Sequence, residues 1–384
     1  MNKSYRIGTA AGIPLFLHWS FLLIPAYILF SGLAMGRPPF GMLADSLLVT
    51  VIFTCVVLHE LGHALAARRF GVRTKDIVLM PIGGVARLER MPKRPVEELL
   101  VALAGPAVNV VIAAILLAIT VPVIGVDGLL NPSSLAANLA GRTILVNLAM
   151  IVFNMLPAFP LDGGRVLRSL LAMNMDHLKA TRIAAKAGQT MAVLLGLAGL
   201  FVVNNPMLVF IAGFVFLGAA QEAGSAETEA SLTGLKVRDA MMTRFDAVPV
   251  QASAAWALRF AMATNKSELP VTSSGQFRGM LRTEDAGAAV ADGQPGLSVG
   301  FLCHTDVGVL RPEDPLTEAL PLLQQGFFSA VPVVDEDGHL EGMVTRNCIL
   351  AARRFGPLMT EASSEIWREG PDELVQHLAR MQVG

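Results

Sequence analysis

Apolar residues crowd the first 220 or so positions of the 384-residue chain in long blocks and thin out after them. A helix needs about 20 mostly apolar residues to cross the hydrocarbon core of a bilayer. Runs of that size recur at 14–35, 46–70, 99–126 and 136–155, and two shorter ones follow at 190–203 and 207–220. The pattern predicts a polytopic α-helical membrane protein with about six transmembrane helices, the first a retained span because it is too long for a signal-peptide core. Basic residues set the orientation. Lys3 and Arg6 precede the first run, and Arg68, Arg69, Arg73, Lys75, Arg87, Arg90, Lys93 and Arg94 lie between the second and third. Arg165, Arg168, Lys179, Arg182 and Lys186 follow the fourth, while Arg37 and Arg142 fall on the other side. An amino terminus in the cytoplasm puts both basic loops inside, as the positive-inside bias requires, and predicts a multi-pass protein of the plasma membrane. The connection 74–87 is rich in strand formers and bends at Gly83-Gly84, which predicts a small interfacial β-sheet whose edge pairs with an extended peptide.

Near Gly224 the chain turns polar, and from Lys236 onward no run is long enough to span. The expected division is a membrane domain over 1–225, a linker over 226–235, a cytosolic α/β domain over 236–355 and a helical tail over 356–384. Two stretches of the α/β part, 237–290 and 299–352, match at a spacing of about sixty residues. Each has a helix, a strand ending in Pro-Val (Pro270-Val271; Pro332-Val333), a turn, and a strand with Gly-Met (Gly279-Met280; Gly342-Met343). The repeats, about 236–292 and 297–355, resemble a pair of CBS modules. In many such modules the closing strand carries a Thr near a nucleotide phosphate and an Asp on the ribose. Here the first repeat keeps Asp285 but has Arg282 at the Thr position, and the second keeps Thr345 but has Cys348 at the acid position. The resemblance implies an adenine nucleotide at Asp285 or Thr345, or instead a homodimerisation module or steric gate.

Composition agrees with a membrane enzyme: 53% of residues are hydrophobic and 16% charged. A net charge of -1 gives no reason to expect nucleic acid as a partner. Three cysteines, Cys55, Cys303 and Cys348, without CxxC spacing argue against a disulfide framework or a cysteine zinc site and fit a reducing compartment.

Candidate chemistry lies in the second apolar run, at His59-Glu60-Leu61-Gly62-His63. Two histidines four apart on a helix share a face and can reach one cation, and the intervening Glu60 is left to act as a base on a metal-activated water. Ionisable groups inside an apolar run cost on the order of 3 kcal/mol each, so function is the default explanation. Catalytic zinc takes a third protein ligand. Asp162, in an irregular stretch with Pro157, Pro160, Gly163 and Gly164, is the favoured candidate, with His18 and His177 as rivals. Cys55, one turn before His59, is expected to pack rather than ligate.

With both His59–His63 and the segment Asn154 to Gly164, of form Asn-x-x-Pro-x-x-Pro-x-Asp-Gly-Gly, the chain resembles the site-2 protease family of intramembrane zinc metalloproteases. Gly12-Ile13-Pro14 with His18, and Gly105-Pro106 with Asn109, extend the likeness over the whole membrane part. The resemblance implies one zinc ion, Asp162 as third ligand, Asn154 as donor to the oxyanion, substrate binding by the Gly83-Gly84 loop, and a transmembrane protein as substrate. A non-proteolytic, CBS-gated transporter, or a helix-binding pseudoprotease, is the competing class, although a conduction path needs no base beside the ligands and a pseudoprotease normally loses the Glu.

Overall fold

The computed structural model describes residues 4–81, 83–89, 91–92, 94–130, 135 and 138–362. Lys3, Arg90 and Lys93 of the charge pattern, and the expected tail beyond residue 362, lie outside the described residues. The chain divides into two compact units, Met1–Ala226 and Glu227–Gly384.

The first unit opens with β1 (Ser4–Ala10) and β2 (Ile13–His18), followed by α1 (Leu23–Ala34) and α2 (Pro39–Arg69). A hairpin of β3 (Thr74–Met80) and β4 (Gly83–Leu88) leads into α3 (Pro95–Leu130), whose helical course breaks at Gly125 (φ 70°). Then come α4 (Leu139–Asn154), α5 (Asp162–Ala172), α6 (His177–Phe201) and α7 (Pro206–Leu232). Among the described residues four helices are long and apolar enough to cross a membrane: α2, α3 through Val123, α6 and α7. Trp19–Ala34 and α4 are shorter apolar helices.

The first apolar run is therefore not one helix. Ile13–His18 pairs antiparallel with β1 and parallel with β3, so its backbone groups are satisfied by a ladder, and the helix starts only after it. The four strands form one sheet in the order β1-β2-β3-β4, which leaves β1 and β4 at the edges. Ile77 and Leu79 of β3 pack on Val56 and Ala64 of α2 and fix the sheet against that helix. Pro39 at the first helical position starts α2, and Arg68 and Arg69 in its last turn complement the dipole.

In the second unit, β5 (Val248–Pro249), β6 (Glu268–Ser273) and β7 (Gln276–Arg282) form one sheet with α8 (Ala254–Thr264) and α9 (Thr283–Ala291) around it. The second repeat follows with α10 (Val299–Leu302), α11 (Ala319–Gln325), β8 (Ala330–Val334), β9 (Leu340–Thr345) and α12 (Arg346–Ala362). The leading segments are exchanged. Leu235 and Val237 are buried with Leu316, Val333 and Val344 of the second repeat, whereas Val299 is buried with Val248, Leu269 and Leu281 of the first. Each repeat identified in the sequence is thus completed by the start of the other.

Candidate metal centre

His59 and His63 stand one turn apart on α2, their rings 4.7 Å apart and nearly perpendicular. Asp162, the first residue of α5, meets them. The three atoms His59 Nε2, His63 Nε2 and Asp162 Oδ2 are mutually 3.1–3.2 Å apart, and all three residues are buried. The other ring nitrogens are fixed by α3. His63 Nδ1 lies 2.7 Å from the Val101 carbonyl, which can only accept, so Nδ1 carries the hydrogen. His59 Nδ1 likewise donates to Asn109 Oδ1 at 3.0 Å. In neutral imidazoles this turns the bare Nε2 lone pairs toward each other and toward a carboxylate oxygen. Three acceptors at such distances repel one another unless a cation sits among them. Tetrahedral zinc with bonds of about 2.0–2.1 Å spaces its ligand atoms similarly, and a His-His-carboxylate set with the other ring N–H groups engaged is a usual zinc shell. The residues present therefore fit a zinc ion.

Backbone approach makes this possible. Gly105 lies on α3 between Val101 and Asn109, at spacings of four that put all three opposite the histidines. A Cβ on Gly105 would come within 2.2 Å of His63 Nε2 and 2.7 Å of His59 Nε2. The motif Gly105-Pro106-x-x-Asn109 by itself gives neither glycine nor asparagine a role; a polar residue inside an apolar run is the signal in the sequence that points to Asn109.

Glu60 is half-buried, outside the three-atom group, and accepts from the backbone N–H of Ala86 on β4 at 2.9 Å. Gly84 is close by, since a Cβ there would lie 2.8 Å from Glu60 Cγ. Alternate residues of a strand share a side. The Ala86 N–H points to Glu60 while Glu89 N–H points back to the Arg73 carbonyl, so Gly84 and Ala86 turn their polar groups away from β3, at the sheet's free edge. The hairpin is held by Asp76 and Arg87, with Arg87 Nε 2.6 Å from Asp76 Oδ1; this hydrogen bond raises the Arg87 guanidinium above its usual pKa.

The other candidates stand apart. His18 is bonded to Ser20 at 2.6 Å, and His177 begins α6; neither joins the cluster. Cys55 is buried and accepts from Asn147 Nδ2 at 3.4 Å, as packing requires. Asn154 ends α4, half-buried, with no side-chain hydrogen bond to any described residue. In the second unit Asp285 contacts His304 at 2.9 Å, and Thr345 Oγ1 accepts from Cys348 N–H at 3.3 Å at the start of α12. They lie in different repeats.

Comparison with known proteins gives the family. A model of peptidase family M50 matches residues 47–140 and 128–198, and a CBS-domain model matches 299–354. A zinc metalloprotease of Methanocaldococcus jannaschii is 32% identical over 368 residues, covering 94% of this chain and 99% of that one. The chain belongs to peptidase family M50. It is accordingly a membrane zinc metalloprotease of the site-2 protease type, joined to a CBS domain. A protein of Mycobacterium tuberculosis named putative zinc metalloprotease Rip3 is 29% identical over 365 residues, covering 90% of this chain and 91% of that one. The solved site-2 protease of M. jannaschii is 34% identical and covers 57% of this chain and 95% of that chain, with a TM-score of 0.43.

Proposed function

We propose that this protease cleaves peptide bonds within or next to the transmembrane helices of membrane-anchored proteins, with one zinc ion held by His59, His63 and Asp162. The observation that carries the reading is the convergence of three bare acceptor atoms at 3.1–3.2 Å with Glu60 immediately beside them in sequence. Zinc in that shell supplies Lewis-acid activation of water and of the scissile carbonyl. Glu60 then takes the proton of the attacking water and passes it to the leaving amine. Asn154 donates from its amide to the oxyanion. A helical peptide bond is shielded by its own hydrogen bonds, so the substrate must be unwound first. At the β4 edge the Gly84 backbone and the Ala86 carbonyl, which face away from β3, offer pairing to an extended stretch beside the Ala86 N–H that holds Glu60, with Gly83 as the bend that leads into it.

The basic loops support a reading with the amino terminus, the centre and the CBS unit on the cytoplasmic side of the plasma membrane. The CBS pair regulates proteolysis, by adenine nucleotide at Asp285 or Thr345, or by pairing two chains. For nucleotide to bind, these groups must exchange their present partners, His304 and Cys348. Heat on titrating the full chain with ATP or AMP supports the nucleotide arm; its absence removes it.

The catalytic reading is tested by Glu60→Gln in purified full-length protein with a membrane-anchored helical substrate. Cleavage should fall by about 100- to 10,000-fold, the usual worth of a general base, while bound zinc stays at one per chain. Cleavage at the wild-type rate, or a wild-type protein that holds no zinc, would overturn it.

A further inference from the structure

Among the described residues four buried side-chain atoms lack a hydrogen-bond partner, and two of them flank one turn of α2. Asn109 and Asn147 are both wholly buried. Asn109 on α3 uses Oδ1 on His59, which leaves Nδ2 unpartnered. Asn147 on α4 uses Nδ2 twice, on the Thr143 carbonyl at 2.8 Å and on Cys55 Sγ at 3.4 Å, which leaves Oδ1 unpartnered. Neither amide can be turned round. The Thr143 carbonyl requires a donor from Asn147. A reversed Asn109 would donate to His59 Nδ1 and push the ring hydrogen onto Nε2, where the metal must bind. Cys55 and His59 are successive residues of one face of α2, so the two amides approach the same turn from two helices. An orphan donor and an orphan acceptor, both out of reach of bulk solvent, are complementary. A buried amide group left unpaired costs about 1–3 kcal/mol, and a buried water usually makes such links.

We propose that one buried water joins Asn109 Nδ2 to Asn147 Oδ1 beside Cys55, and that Asn147 is through it a positioning residue for His59. The relay runs from α4 to the metal centre. Asn147 accepts from the water, the water accepts from Asn109, and the carbonyl end of Asn109 holds the Nδ1–H of His59 and so aims its Nε2. The polar atoms fix each donor and acceptor in this sequence. Cys55 then has a reason to be a thiol, since it packs on the Asn147 amide without competing for the water. The inference rests on His59 being a zinc ligand.

Zinc affinity of the purified full-length protein, measured by chelator competition, tests it. Asn109→Leu should weaken zinc by about 10- to 100-fold, as loss of an outer partner of a ligating histidine does. Asn147→Leu should weaken it by about tenfold, and the double variant should be no weaker than Asn109→Leu alone, because both act through one relay. Asn147→Ser, which keeps a hydroxyl within reach of a water, should stay within about threefold of wild type, and Asn147→Ala should not; this pair serves if the leucine variant fails to fold. In protein with 15N-labelled histidine, Asn147→Ala should shift the His59 Nδ1–H signal and leave that of His63 in place, which a general loosening of α4 would not do. Zinc affinity within twofold of wild type in folded Asn147→Ala, or additive losses in the double variant, would overturn the relay. Were Asp162→Ala to bind zinc as wild type does, the zinc reading itself would fall, which the Asn147 results cannot mimic.

Discussion

At the scale of single residues the centre depends as much on an absent side chain as on those present. Gly105 lets α3 lie against the imidazoles, and the nearest atoms to a Cβ there are the two Nε2 nitrogens and His63 Cε1. Gly105→Ala must displace the rings, and zinc affinity by chelator competition should fall by at least about 100-fold, as for loss of an ordered ligand shell. Alanine by itself favours a helix interior over glycine by about 1 kcal/mol, so helicity by circular dichroism should hold while the metal is lost. Retained zinc in that variant would mean the rings have room that the structure denies them. His59, Glu60, His63 and Asp162 were legible in the sequence because each is an ionisable group in apolar or irregular surroundings that would cost free energy without a purpose. Val101 was not, since it contributes a backbone carbonyl, and any residue type at that position carries one.

At the scale of elements, hydrophobic runs located the membrane part but misjudged what the runs become. Residues 14–35 hold enough apolar surface for a span, but side-chain apolarity does not say how the backbone groups are paired, and the ladder with β1 and β3 claims 13–18 as strand. The segments 190–203 and 207–220 were cut short for the opposite reason. Thr181, Lys186 and Gln189 continue α6 toward its start, and Gln221, Glu222 and Glu227 continue α7 past its apolar stretch, because helix geometry is satisfied by any residue with an N–H. The exchange of leading segments in the CBS unit is not legible in the sequence, since a repeat does not say which copy completes which core. The β3–β4 hairpin, in contrast, joins the sheet to the chemistry by one bond, from Ala86 N–H to Glu60. Ala86→Pro removes that donor and no ladder bond, because residue 86 faces away from β3, and proline is tolerated on an edge strand. A hydrogen bond to a charged group contributes about 1.5–3 kcal/mol, so kcat/KM on a membrane-anchored substrate should drop by about 10- to 100-fold at unchanged zinc content. Unchanged kcat/KM would show that Glu60 needs no support from β4.

At the scale of the whole membrane unit, the helices that surround the centre are tied by a buried ion group away from it. Arg168 on α5 reaches Glu98 on α3, with Nε at 2.8 Å, and Glu222 on α7, with Nη1 at 2.6 Å, and its guanidinium lies 5.0 Å over the Phe159 ring. Arg168 and Glu98 are almost fully buried, and Phe159 is as well. Asp162 starts α5 and Val101, Gly105 and Asn109 belong to α3, so the pair fixes the helix of one donor against the helix that orients the other two. Such a group is weak evidence for stability as a whole, since apolar replacements of like volume often serve as well; removing one partner is different, because it strands a buried charge at about 3–5 kcal/mol. Arg168→Met should therefore lower the denaturation midpoint of the detergent-solubilised protein and its zinc content together. The triple variant Glu98→Met, Arg168→Met, Glu222→Met should recover most of the midpoint, and its zinc content then separates two roles of the group. Zinc that returns with the midpoint says that packing alone sets α5 against α3. Zinc that stays low says that the guanidinium's geometry aligns Asp162 with the histidines, and Arg168→Met with wild-type midpoint and zinc would show that neither role exists.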